Sequence, residues 1–109
     1  MCTEIKCAVE LYNKACQAEN EGMPTLAEVY YLKSEVLFEQ AGGMHFLNAA
    51  NSLNALAFLR KAQGDDQGAL RALRESLKIM DAHQSECASS DGEFIRAQAW
   101  ELMEILVRE

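Results

Sequence analysis

Few residues of this chain are of a type that does covalent or metal chemistry, and their spacing argues against it. The cysteines are Cys2, Cys7, Cys16 and Cys87. The step from Cys2 to Cys7 is neither a CxxC nor a zinc pattern, and no histidine lies near it. Reduced cysteine used as a small buried or surface residue is the simpler account. His45 and His83 lie far apart in sequence and neither neighbours a cysteine, so no nucleophile–base pair is suggested. Glu35 and Glu39, with His45 following, have the spacing of an acid or metal pair, but a solvated acidic helix face is the expected reading. There is no glycine-rich phosphate loop, HExxH or GxSxG. The residues therefore point away from an enzyme and imply neither a cofactor nor a bound metal.

The elements that carry these residues follow from composition and punctuation. The 109 residues suit one domain; half are apolar and a quarter charged, which is globular composition. Val, Ile and Thr are scarce beside Ala, Leu, Glu, Gln, Lys and Arg, the residues that lose least freedom in a helix. No alternating run argues for a strand, so the expected class is all-α. A net charge of −7 disfavours nucleic acid and anionic lipid as partners. No uncharged apolar stretch reaches the roughly 18 residues of a membrane span. The start MCTEIKCAVELYNKAC lacks the order of a signal peptide, and cytoplasmic residence is the default expectation.

Five helices are expected. The first runs from about Thr3, a plausible N-cap, to Asn20, with Gly22 as its stop. The second begins at Pro24 or Thr25, where Thr25 and Glu28 have the spacing of a capping box, and ends at Gly42–Gly43. The third spans about His45 to Gln63 and stops at Gly64; the fourth runs from near Asp66 to near Ala82. After the polar stretch HQSECASSDG, Ser90 and Glu93 form a second capping-box pattern for a helix over about 91–108. Short turns make neighbours antiparallel. This gives a hairpin over about 3–42, a second over about 44–83, and a lone C-terminal helix.

The two hairpins repeat. Gly22 and Gly64 stand 42 residues apart, as do Ala27 and Ala69, Ser34 and Ser76, Tyr31 and Leu73, Leu11 and Leu53, and Ala15 and Ala57. The same step reaches Ile95 and Ala99 in the fifth helix. Small residues at a helix crossing let the axes approach to about 8–10 Å. Ala15 and Ala57 are expected there, with Ala27 and Ala69 facing them. Gly22 and Gly64 supply the left-handed residue that turns the chain back.

The segment SLNALAFLRKAQGDDQGALRALRESLKIM resembles a tetratricopeptide repeat (TPR), carrying Leu53, Leu56–Ala57, Gly64, Ala69, Leu73 and Ser76–Leu77 in that family's order. The first unit matches at Leu11, Ala15, Gly22, Ala27, Tyr31 and Ser34, with Lys14 where a large apolar residue is usual. The period of 42 and the segment AEVYYLKSEVLFEQAGG resemble the longer repeats of kinesin light chains. The resemblance implies a right-handed superhelix of antiparallel hairpins. It also implies a non-catalytic scaffold or adaptor that binds a protein or peptide in a concave groove lined by the first helix of each hairpin. On that geometry the groove positions are Tyr12, Asn13, Cys16, Glu19 and Asn20; Asn51, Asn54, Ala55, Phe58 and Lys61; and Glu93, Arg96, Ala97, Trp100 and Met103. The asparagines would clamp a peptide backbone, since an amide both donates and accepts. Arg96 could pair with a carboxylate, and Tyr12 and Trp100 offer anchors. Only Lys61 and Arg96 are candidates for the basic carboxylate clamp of chaperone-binding relatives. The competing account makes Phe58 and Trp100 core residues and leaves the asparagines solvated.

The last helix suggests a second role. Phe94, Ile95, Ala97, Ala99, Trp100, Leu102, Met103, Ile105, Leu106 and Val107 leave few polar positions, and a helix apolar nearly all round expects cover on several sides. Its own hairpin partner is missing from the sequence. Homodimerisation through Phe94, Trp100, Met103 and Val107 is the structural alternative; a domain cut from a longer array would explain the same pattern.

Overall fold

The computed structural model describes residues 3–42, 45–83 and 90–108. They form α1 (Thr3–Asn20), α2 (Pro24–Ala41), α3 (Phe46–Ala62), α4 (Asp66–Ala82) and α5 (Ser90–Arg108), with no strand among the described residues. The most extensive packing is α1 on α2 and α3 on α4; α2 then packs on α3, and α5 rests on α4 and α3. The result is a flat stack of 41 × 31 × 18 Å. No described helix is long and apolar enough to cross a membrane.

The 42-residue period seen in the sequence is a period of hydrogen bonds. At the end of α1, the N–H of Gly22 donates to the carbonyl of Glu19 and that of Met23 to Ala18. At the end of α3, Gly64 donates to Lys61 and Asp65 to Arg60. These are two copies of one Schellman turn, and each needs a left-handed residue after the last helical turn. Gly22 and Gly64 supply it at φ of 75° and 83°. A Cβ at either position would meet open space, so backbone torsion alone selects glycine there.

Within each hairpin a serine repeats the same pin. The Ser34 hydroxyl on α2 donates to the carbonyl of Ala8 on α1 at 3.0 Å, and Ser76 on α4 donates to Ala50 on α3 at 3.2 Å. A hydroxyl reaches the opposite backbone only where the helices lie close. The alanines permit that approach: Ala8, Ala15, Ala27, Ala50, Ala57 and Ala69 are all fully buried. Around them Leu53, Leu56, Leu73, Leu102 and Leu106 fill the main core, and Tyr31 lies at its edge. A smaller cluster of Phe46, Ala50, Met80 and Ile95 joins α5 to the second hairpin. Between hairpins, Ser34 and Ser52 hydroxyls lie 3.4 Å apart, and Arg60 on α3 binds Glu28 on α2 through two bonds of 3.3 Å.

Several helix ends differ from expectation. Thr25 lies inside α2, whose N-cap is Met23 with no side-chain cap bond. Glu28 therefore forms no capping box; its carboxylate reaches across to Arg60. Pro24 at the first helical position, with no N–H to satisfy, makes a side-chain cap less necessary. α3 begins at Phe46 and ends at Ala62, one residue inside the expected bounds at each end. The α4 start is capped by Asp65, which accepts from the Gly68 N–H at 2.9 Å. The proposed Ser90 cap falls on a side chain outside the described residues, as does the polar segment 84–89.

Gly64→Ala should lower unfolding free energy by about 1–2 kcal/mol through the left-handed penalty, with Gly64→Asn costing less. Ser76→Ala should cost about 1 kcal/mol, the usual net worth of one hydrogen bond. Urea denaturation of the three variants checks both.

Candidate binding hollow

Three helices present one face each to a common hollow. Tyr12 and Glu19 are seven apart on α1, and Asn51, Asn54, Ala55 and Phe58 follow the three-four spacing of a single face on α3. With Gln98 of α5 and Tyr31 of α2 they line an open hollow of about 250 Å³. Tyr31 is buried, and its hydroxyl donates to the Glu19 carboxylate at 2.8 Å, with the Cys16 sulfur 3.5 Å away. The Asn51 amide donates to the Tyr12 hydroxyl at 3.2 Å, and the two tyrosine rings meet edge to face at 5.5 Å. Burial first, then hydrogen bonding with Cys16 and Glu19, holds the Tyr31 hydroxyl far above the ordinary tyrosine range. Burial and the charges of Cys16 and Glu19 also raise Tyr12, against the lowering effect of the Asn51 bond. Both phenols are therefore neutral near pH 7, and the field they feel is negative.

Asn54 departs from the expected solvent-facing clamp. It is 2% exposed. Its Nδ2 donates to the carbonyl of Ile95 at 3.0 Å, which ties α3 to α5. Its Oδ1 is buried with no hydrogen-bond partner. The sequence showed an asparagine at a groove position but not that α5 lies close enough to take its amide.

The remaining expected groove residues scatter. Asn13 and Asn20 are exposed on α1, and Lys61 is partly buried on α3; none of the three lines the hollow. Arg96 also lies outside the lining and is committed to Asp81 at 2.9 Å. Phe58 lines the hollow at 45% exposure, while Trp100, outside it, is 52% exposed. Neither is a core residue. Of the proposed self-association residues, Phe94 and Val107 are 64% and 73% exposed. Met103 is partly buried and packs against the main core. Cys16 and Ala55 are partly buried, and Glu19, Glu93 and Ala97 exposed.

Two features escaped the sequence reading. Tyr31 was expected only to fill space at a crossing, and its hydroxyl instead closes the hollow on Glu19. On α2, Leu26, Val29, Leu32 and Val36 form an exposed apolar row. Their three-four spacing was readable, but every apolar surplus had been assigned to α5. Leu32, Val36, Leu11 and Leu37 line a shallow apolar depression of about 420 Å³ there.

The acid–histidine grouping does not form a site. The His45 ring stacks at 6.4 Å on Phe38, and His83 stacks at 4.2 Å on Phe46. Among the described residues no group of three or more His, Cys, Asp or Glu could hold a metal ion. Cys7 and Cys16 are free thiols; Cys2 and Cys87 lie outside the described residues. The expected solvated acidic face is corrected at Glu35. Its Oε2 is buried without a hydrogen-bond partner. Burial, with Glu39 and the more distant charge of Glu75, pushes its carboxyl up to about 8.

A carboxyl whose folded pKa is raised binds its proton more tightly when folded, so its contribution is complete below the unfolded pKa and is lost as pH rises through about 8. Melting temperature should therefore fall between pH 5 and pH 9, and Glu35→Gln should flatten that slope and raise the melting temperature at the alkaline end. Asn54→Ala should cost about 1–2 kcal/mol and speed hydrogen exchange in α5 more than in α1, as read by mass spectrometry.

No family model matches the chain, and neither the curated proteins nor the solved structures yield a significant match.

Proposed function

We propose that this chain is a non-catalytic protein-interaction module of the tetratricopeptide type, a right-handed stack of hairpins that receives a partner peptide or helix in the hollow between α1, α3 and α5. One observation carries this reading: side chains from three alternate helices converge on a single recess. That recess combines a half-exposed aromatic ring at Phe58, a carboxylate at Glu19 and three amides at Asn51, Asn54 and Gln98. Apolar surface beside a few fixed polar groups is the make-up of a recognition site. The 42-residue recurrence of turns and serine pins supports the repeat assignment. A displayed random-peptide library tests it. Peptides selected on the wild type should bind Phe58→Glu at least about tenfold more weakly, the effect of losing one central aromatic contact. Equal binding to that variant would remove the hollow as the site.

A second reading is self-association through α5. It is favoured by two exposed apolar ridges on α5, Phe94–Ile105 and Trp100–Val107. Glu101 and Glu104 interrupt these ridges. Sedimentation at low micromolar concentration should give a dimer mass that Trp100→Glu reduces to a monomer; a monomer for the wild type would leave the ridges to another partner.

A further inference from the structure

The hollow is lined by three side-chain amides, three aromatic residues, Ala55 and one carboxylate. That carboxylate, Glu19, is its one acidic side chain, and no basic residue lines it. The two basic residues expected nearby stand outside the lining, and Arg96 is already paired with Asp81. Three of the lining donors are engaged within the protein. Tyr31 donates to Glu19, Asn51 to the Tyr12 hydroxyl, and Asn54 to the Ile95 carbonyl. Acceptor capacity remains unspent, above all the Asn54 Oδ1, buried without a partner on a side chain that is 2% exposed and lines the hollow. Phe58 and Tyr12 add aromatic surface to the same lining, and a ring face attracts a cation. The whole chain carries a net charge of −7, which draws cations toward it at long range.

We infer that the hollow selects a peptide segment bearing an arginine or lysine side chain, whose cationic group sits against Glu19 and Asn54 with its stem along Phe58. The inference rests on the interaction-module reading and specifies the chemistry of the partner. It is opposite in sign to the basic clamp that the sequence resemblance brought into consideration. A guanidinium brings five donors and no acceptor, which matches the Glu19 carboxylate and the unpartnered Asn54 Oδ1, and its planar face stacks on an aromatic ring.

Three peptides differing only at the central residue test it: acetyl-Ala-Ala-Arg-Ala-Ala-amide, and the same sequence with citrulline or glutamate in place of arginine. Binding is followed by the side-chain amide signals of Asn51, Asn54 and Gln98 in two-dimensional NMR. The arginine peptide should bind about tenfold more tightly than the citrulline peptide, the worth of one charge-assisted contact. Glu19→Gln, which keeps an acceptor for Tyr31, should erase that preference. Glu10→Gln removes the same charge from an exposed site on α1 outside the hollow and should preserve it. Equal binding of arginine and citrulline peptides, preference for glutamate, or equal loss in both variants would overturn the cationic preference. If the cationic preference fails while any of the peptides still moves the three amide signals, the hollow remains a binding site of different chemistry. If no peptide moves them, both readings fall.

Discussion

The fold depends on how closely two helices of a hairpin can approach. Alanine at Ala8, Ala15 and Ala27, and again at Ala50, Ala57 and Ala69, removes the side-chain bulk that would hold the axes apart. Once the backbones are near, the hydroxyls of Ser34 and Ser76 bond to carbonyls on the opposite helix and fix the axial register. The leucines of the core then close around a contact whose geometry is already set. Larger residues at the crossings would separate the helices, break both serine bonds and open the core together. Small size at six positions therefore matters more to this fold than any single large apolar side chain.

The hollow is a product of the same constraint. In a stack 18 Å across its shortest dimension, α1, α3 and α5 each give side chains to one recess, with Tyr31 of α2. Residues on the open face of α1, α3 and α5 then converge without any loop to hold them. Rigid helices position Tyr12, Asn51 and Phe58, and burial of Tyr31 brings its hydroxyl up from below to Glu19.

Much of the architecture was legible in the sequence, because its determinants are local. Glycine at Gly22 and Gly64, alanine at the crossings and the 42-residue step each carry a one-dimensional signature, and the five helices fall within a residue or two of the expected bounds. The side-chain partners were less legible. Glu28 has capping-box spacing from Thr25, yet a cation on α3 outcompetes the local backbone. Asn54 has the position of a ligand clamp, yet α5 takes its amide. Arg96 turns to Asp81 for the same reason. In each case the deciding partner is distant in sequence, and helix periodicity says which face a residue occupies, not who waits opposite. Glu35 is the electrostatic counterpart: its four-residue step to Glu39 looked solvent-facing, yet one carboxylate oxygen is buried, and burial with the neighbouring Glu39 raises its carboxyl above the usual range.

Asn54 has a consequence that extends past its own contacts. One amide both lines the recess and anchors the terminal helix through the Ile95 carbonyl. A molecule that recruits this amide alters the hold on α5, and displacement of α5 alters the recess by the same free energy. On the proposed reading, filling the recess and releasing the last helix are therefore linked, and each shifts the other by an equal amount.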